Sequence, residues 1–274
     1  MTKRSMSESR KKTSIVYLCT KSNVKSAVGL QALIDAGYNV NLAIGWSSPN
    51  TKINPGLIKG TRLFLAKVLD KLLLPRSDPV AEIKCDDCEL ICQKNGIDWV
   101  ETEGARIGEL QSIIKKASPD VVFSNGWQSH IPNEIYDLAS LAALNCHSSF
   151  LPEYRGGNVT FAPLINGEKS SGVSVHEIED RFDSGRIFAR HKVQICERES
   201  PKTLNLKRAW ITSGVIIEAM ENVSRGNAVH DNREAPFYFR TTYEKYVWTR
   251  ILNKFRRFVC LPRRRVEPRW VKRI

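Results

Sequence analysis

The apolar run SIVYLC (14–19) has the character of a buried first strand. Helical spacing follows from Ser22 to Ala36, Gly37 closes it, and NVNLAIG (39–45) predicts a second strand. The alternation continues with a helix near 81–95, strand IDWV (97–100), a helix over 106–117, strand DVVFS (120–124), a short helix near 133–140 and a strand ending in LNCH. Strands that alternate with helices predict an α/β fold built on a doubly wound, mostly parallel sheet. From 158 the order changes. A helix, NVTFAPLING, precedes two strand-like runs, GVSVHEI (172–178) and GRIFARHKVQI (185–195), and the loop between them holds Asp183. Ser200 and Pro201 then supply a cap and a first-turn residue for a long helix to about Ser224.

Two segments fall outside this pattern. Residues 50–80 contain GLIKGTRLFLAKVLDKLLLP, where Phe64, Val68 and Leu72, with Leu65, Leu69 and Leu73, make a broad helical stripe between Lys59, Arg62, Lys67 and Lys71. This reads as a helical insertion packed on the core. Near the other end, EKYVWTRILNKFRRFVCL sets Trp248, Ile251, Leu252, Phe255 and Val259 against Lys245, Arg250, Lys254, Arg256 and Arg257, a basic amphipathic helix of the kind that lies on anionic membrane surfaces. The expected organisation is a disordered basic stretch over 1–12, one domain over 13–226 with the insertion at about 50–80, and a basic extension over 227–274.

The 274 residues are 42% hydrophobic and 26% charged, within the range of globular proteins. The formal charge of +13 suggests nucleic acid until it is located along the chain. Residues 1–12 carry five Lys/Arg and one Glu, and residues 250–274 carry ten Lys/Arg and one Glu. These ends hold the whole excess, so the basicity says little about what the body binds. No apolar run reaches the length of a membrane span and the opening residues lack a signal-type hydrophobic stretch, so a cytoplasmic location is expected. Seven cysteines read as reduced thiols. Cys85, Cys88 and Cys92 fit one helix face, and without a fourth ligand nearby no metal is expected.

The first strand is not followed by G-x-G-x-x-G, NGEKSS (166–171) lacks the adjacent Gly-Lys of a phosphate loop, and G-x-S-x-G is missing. Dinucleotide, ATP and serine-hydrolase chemistries therefore lose support. Another constellation remains. Asn145 and His147, two apart at the end of LNCH, project from one face of a strand, and ligands of open α/β sheets bind beyond the carboxyl ends of strands. Asp183 follows in IEDRFDSGR, with Gly185 allowing a tight turn. An amide, an imidazole and a carboxylate suit acyl transfer to an amine. The carboxamide of Asn145 and a protonated His147 would hold the developing oxyanion, while Asp183 would favour the charged imidazole and take the amine proton. His176 sits where alternation allows either the crevice or a helix contact, and His130 follows a strand end near a ligand crevice.

The succession NCHSSFLPEYRGGN, INGEK, SGVSVH and DSGRI resembles the folate-dependent formyltransferase family, with its N-x-H, S-L-L-P-x-Y-R-G and D-x-G signatures in order; Phe150 replaces the usual first Leu of the second. The resemblance implies formyl transfer from 10-formyltetrahydrofolate to a primary amine, with Asn145, His147 and Asp183 as the catalytic set. It implies that Asn125, Gly126, Trp127, Gln128, Ser129, His130, Glu179 and Asp180 surround the folate. Ser22, Asn23, Ser149, Tyr154, Arg155, Gly156, Gly157 and Asn158 would face the acceptor. CTKSN lacks the glycines of the phosphate-gripping turn in glycinamide ribonucleotide formyltransferases, and few residues follow Gly226 for the barrel of methionyl-tRNA formyltransferases. The branch this favours formylates nucleotide-linked amino sugars. The alternatives are methionyl-tRNA or glycinamide ribonucleotide as acceptor, with nucleic acid expected only as that tRNA, or a non-catalytic protein acting through its ends. Peripheral membrane contact through 243–274 belongs to the same expectation, and a homodimer is left open.

Overall fold

The computed structural model describes residues 10, 12–47, 57–73, 80–103, 107–157, 159–230, 237–238, 243–258 and 262; Asn158 and nearly all of both chain ends lie outside the described residues. In chain order the elements are β1 (Ser14–Thr20), α1 (Val24–Asp35), β2 (Asn39–Ser47), α2 (Leu57–Leu73), α3 (Cys88–Asn95), β3 (Asp98–Glu103), α4 (Ile107–Ala117), β4 (Val121–Asn125), α5 (Asn133–Tyr136), β5 (Ala142–His147), β6 (Arg155–Gly156), α6 (Phe161–Asn166), β7 (Ser170–Glu177), β8 (Ile187–Gln194), α7 (Pro201–Ser224), β9 (Phe237–Tyr238) and α8 (Tyr243–Phe258). Seven strands form one sheet in the order β3-β2-β1-β4-β5-β7-β8. The first five in that order run parallel, and β7 and β8 are each antiparallel to the strand before them.

The continuous apolar run of β1 follows from burial on both faces. Ile15, Tyr17 and Cys19 pack with Leu30 and Leu33 of α1 and Ile216 and Ala219 of α7, whereas Val16 and Leu18 pack with Leu110 and Ile114 of α4. Strand order reverses between β1 and β4. This switch point opens a crevice at the carboxyl ends of β1, β4 and β5. A third apolar cluster forms at the β8 edge of the sheet and joins Val193 of β8 to Ala66 of α2, Leu164 and Ile165 of α6, Leu204 of α7, and Tyr246, Val247 and Ile251 of α8.

The long helix starts as expected. Ser200 and Thr203 cap one another across its first turn, with Pro201 at the first helical position. The expected helix over 81–95 is shorter. Its cap is Asp87, whose side chain accepts from the Leu90 N–H, so Cys85 falls before the helix and is exposed while Cys88 and Cys92 are buried. The helices expected over 158–167 and 133–140 contract to α6, which Gly167 closes at φ 73°, and to the single turn of α5. Among the described residues no helix is long and apolar enough to cross a membrane.

Candidate active site

Asn145 and His147 stand on one face of β5, and pairing on both sides of that strand builds their surroundings. Asn145 lies opposite Ser124 of β4 and His176 of β7. Its Oδ1 accepts from Ser124 Oγ at 3.0 Å, which turns Nδ2 toward His176 Nε2 at 3.1 Å and Asp183 Oδ1 at 3.3 Å. Asp183 occupies the left-handed region at φ 51° in the β7–β8 loop. A Cβ on Gly185 would stand 2.1 Å from the Glu177 carbonyl oxygen, so glycine lets the loop fold back on β7. The Gly156 N–H donates to Asp183 Oδ2 at 2.8 Å, while Oδ1 lies 3.4 Å from His147 Nδ1 and 3.3 Å from His176 Nε2.

Burial acts oppositely on the charged forms of the two central groups. By itself it would raise the Asp183 pKa, but His147, His176 and the Gly156 N–H together hold that carboxyl well below the usual range. Burial also dominates at His147 and pulls its pKa below the ordinary imidazole value despite the opposing influence of Asp183. Asp183 does favour the charged imidazole, as expected, but burial outweighs it and corrects the expectation of a protonated His147. His147 Nε2 lies 3.0 Å from the Tyr154 carbonyl, which only accepts, so that nitrogen carries the hydrogen and Nδ1 is the titrating atom beside Asp183. Lys25, in the first turn of α1, donates to the Cys146 carbonyl at 2.6 Å, and burial lowers its pKa.

These groups line a cavity of about 570 Å³ at the switch point. Residues 58–220 match the family model described as formyl transferase. The chain belongs to the formyl transferase family. A methionyl-tRNA formyltransferase of Kosmotoga olearia is 25% identical over 177 residues, 61% of this chain but only 57% of that protein. The crystal structure of glycinamide ribonucleotide transformylase 1 from Symbiobacterium toebii superposes with a TM-score of 0.59 at 17% identity, over 81% of this chain and 92% of that one. That of WlaRD, a sugar 3N-formyl transferase in the presence of dTDP and 5-N-formyl-THF, gives 0.54 at 14% identity, over 88% of this chain and 79% of that one.

In this family member, Gly126, Trp127, Gln128, Ser129, His130 and Glu179 line the cavity together with Asp183. Gly126 turns the chain after β4 at φ 84°, where a Cβ would stand 2.6 Å from Ser26 Oγ. Gly156 and Gly157 also line the cavity.

The remaining sequence-predicted residues do not line it. Asn125 is fully buried behind the wall, its Nδ2 donating to Tyr17 Oη at 2.8 Å and to the Lys25 carbonyl at 3.0 Å. Asp180 accepts from Tyr136 Oη at 2.6 Å. Asn23 caps α1 by accepting from the Ser26 N–H, and Ser22 is exposed beside it. Ser149 is buried, with its carbonyl accepting from Ser174 Oγ. Tyr154 acts through its carbonyl on His147, and its hydroxyl donates to Glu168 at 2.8 Å. Arg155 donates to the Phe182 carbonyl at 3.1 Å and so ties down the Asp183 loop.

Sequence reasoning missed Lys25 and the apolar wall of Ile131, Ile178 and Phe182, and it left His176 undecided. His176 is legible only once β7 is known to pair antiparallel with β5, because that pairing sets it opposite Asn145.

Proposed function

We propose that this chain transfers a formyl group from 10-formyltetrahydrofolate to a primary amine, with a nucleotide-linked amino sugar as the acceptor. The observation that carries the reading is the meeting of Asn145, His147 and Asp183, from two distant segments, on one cavity wall within 3.3–3.4 Å contacts. Trp127, Ile131, Ile178 and Phe182 line the same cavity, and their apolar surfaces suit a flat heteroaromatic ring.

In this reading the amine nitrogen attacks the formyl carbon, and the negative charge that grows on the formyl oxygen meets the Asn145 amide. The amine proton passes to His147, kept neutral by burial, and the anionic Asp183 stabilises the resulting imidazolium. As the bond from the formyl carbon to the folate N10 breaks, His147 returns that proton to N10, releasing tetrahydrofolate and the N-formyl product. The acceptor assignment draws support from the first turn of α1. Asn23 is committed to capping the helix and Ser22 stands off the cavity, so neither is placed to grip a small phosphate as a glycine-rich turn would. Lys25 instead puts a cation in the cavity wall. The stretch shared with a methionyl-tRNA formyltransferase favours methionyl-tRNA as a second reading, for which transfer would fall steeply with salt.

The test is to incubate the full chain and 10-formyltetrahydrofolate with nucleotide-linked amino sugars, glycinamide ribonucleotide and methionyl-tRNA in parallel, following tetrahydrofolate release and the N-formyl product. The expected result is product with an amino sugar and a rate about 10²–10⁴-fold lower for His147→Ala. Equal rates for His147→Ala and wild type overturn the chemistry, and product with methionyl-tRNA alone overturns the acceptor.

A further inference from the structure

Residues 154–156 reach the groups of the proposed reaction three times in succession. The Tyr154 carbonyl lies 3.0 Å from His147 Nε2, Arg155 Nε donates at 3.1 Å to the carbonyl of Phe182, the neighbour of Asp183, and the Gly156 N–H donates to Asp183 Oδ2 at 2.8 Å. The turn leaves ordinary backbone conformations to do so, with Tyr154 at φ 60° and Gly156 at φ 90°. Glycine adopts such a value freely. A bulky residue stays there only where its surroundings hold it.

Tyr154 is held by its side chain. The residue is buried, its Oη donates to Glu168 Oε1 at 2.8 Å and accepts from Asn166 Nδ2 at 3.1 Å. Asn166 is the last residue of α6 and is itself buried, while the Glu168 N–H donates back to the Pro163 carbonyl of that helix at 3.0 Å. Helix α6 is packed in turn through Leu164 and Ile165 in the third apolar cluster. Neither Asn166 nor Glu168 lines the cavity, so the conformation of Tyr154 is fixed from behind it.

A neutral imidazole carries one ring hydrogen, and the bond made at one nitrogen decides what the other can do. Two acceptors compete for that hydrogen on His147: the Tyr154 carbonyl at Nε2, and Asp183 Oδ1, 3.4 Å from Nδ1. A carboxylate is the stronger acceptor, and without the carbonyl it would draw the hydrogen to Nδ1. Proton uptake from an amine needs the opposite arrangement, because Nε2 faces the buried turn and a lone pair there is out of reach. We propose that Tyr154 is a positioning residue that sets the tautomer of His147. Its carbonyl keeps the hydrogen on Nε2, and its hydroxyl bonds to Glu168 and Asn166 keep that carbonyl in place. The proposal rests on the reading of His147 as the proton acceptor.

The experiment is NMR of the full chain carrying nitrogen-labelled histidine, recorded above the titration of His147, where the shifts of the two ring nitrogens separate the tautomers and His147→Gln identifies the signals. Wild type is expected to show hydrogen on Nε2. Tyr154→Phe, which keeps the ring and loses both hydroxyl bonds, and Glu168→Ala are expected to give a mixture with the Nδ1 form. In both, kcat falls about tenfold or more while KM for 10-formyltetrahydrofolate stays within about twofold. Glu168→Gln, whose amide oxygen still accepts from the Tyr154 hydroxyl, restores the tautomer and kcat toward wild type. Tyr154→Phe added to His147→Ala costs no further rate, since it acts through the imidazole. Hydrogen on Nδ1 in wild type, or a tautomer unmoved in the folded variants, overturns the inference. If the other histidine signals show Tyr154→Phe to be unfolded, Glu168→Ala against Glu168→Gln decides. The spectra need no acceptor, so a wild-type chain that makes no N-formyl product overturns the reaction and leaves the tautomer to be read on its own.

Discussion

One oxygen of Asp183 is taken by the Gly156 N–H, and the other faces Asn145, His147 and His176, so a single carboxylate gathers three strand ends and a loop. Both His147 and Asp183 release protons more readily here than in the unfolded chain, and the linkage has one sign for both. Unfolded His147 takes up a proton near pH 6.5 and native His147 only at lower pH, so acidification through that window favours the unfolded state. The stabilisation from Asp183 is present above about pH 4 and is lost as pH falls through its still lower native value. Thermal midpoints are therefore expected to fall as pH drops below about 6.5, and His147→Gln to flatten the first part of that fall. A slope in the variant as steep as in wild type would contradict the assignment. In the proposed reaction neutral His147 takes up the amine proton, so kcat is expected to rise with pH through the lowered His147 pKa. Because the Asp183 charge favours the imidazolium, Asp183→Asn should move that acid limb to still lower pH while cutting kcat by about 10²-fold or more. A limb that moves up would contradict the proton path.

Among the elements, α7 holds part of the cavity lining through Arg208, a buried guanidinium that donates to the Val159 carbonyl, to Thr160 Oγ1 at 3.1 Å and to Ser171 Oγ. Burial brings its pKa down to about 9, and among the described residues no carboxylate is seen within salt-bridge distance of it. Val159 lines the cavity, so Arg208 couples helix packing to the shape of the site. Arg208→Met should cost about 2–3 kcal/mol in urea unfolding, more than the roughly 1 kcal/mol expected for Ser200→Ala at the cap of the same helix. Equal costs would show that the guanidinium contributes nothing beyond the helix itself. The start of α7 was legible because Ser200, Pro201 and Thr203 act within one turn. Cys85 was misplaced because a cysteine spacing of three and four fits a helix face whether or not the helix has begun, and Asp87 decides where it begins. His176 follows a register shift in the β7–β8 pairing after Val175, which alternation along the strand does not reveal. Lys25 reaches β5 from α1, a contact that no local pattern encodes.

At the scale of the molecule, strand–helix alternation marked the parallel sheet, and the reversal of order between β1 and β4 explains why the cavity lies beyond the end of β5. The charge excess was correctly located along the chain from composition. That α2 and α8 stand together was not, because their contact joins residues 173 apart in the chain. Asn145, His147 and Asp183 were legible as candidates from their types and spacings, whereas their convergence is a property of tertiary pairing. The central claim is that this cavity moves an intact formyl group to an amine. The most direct measurement is a single-turnover reaction of enzyme, 10-formyltetrahydrofolate and an amino-sugar nucleotide that counts tetrahydrofolate and N-formyl product together. The account predicts equal amounts of the two from wild type and neither from His147→Ala on the same timescale. Tetrahydrofolate released with free formate and no N-formyl product, whatever amine is supplied, would contradict it.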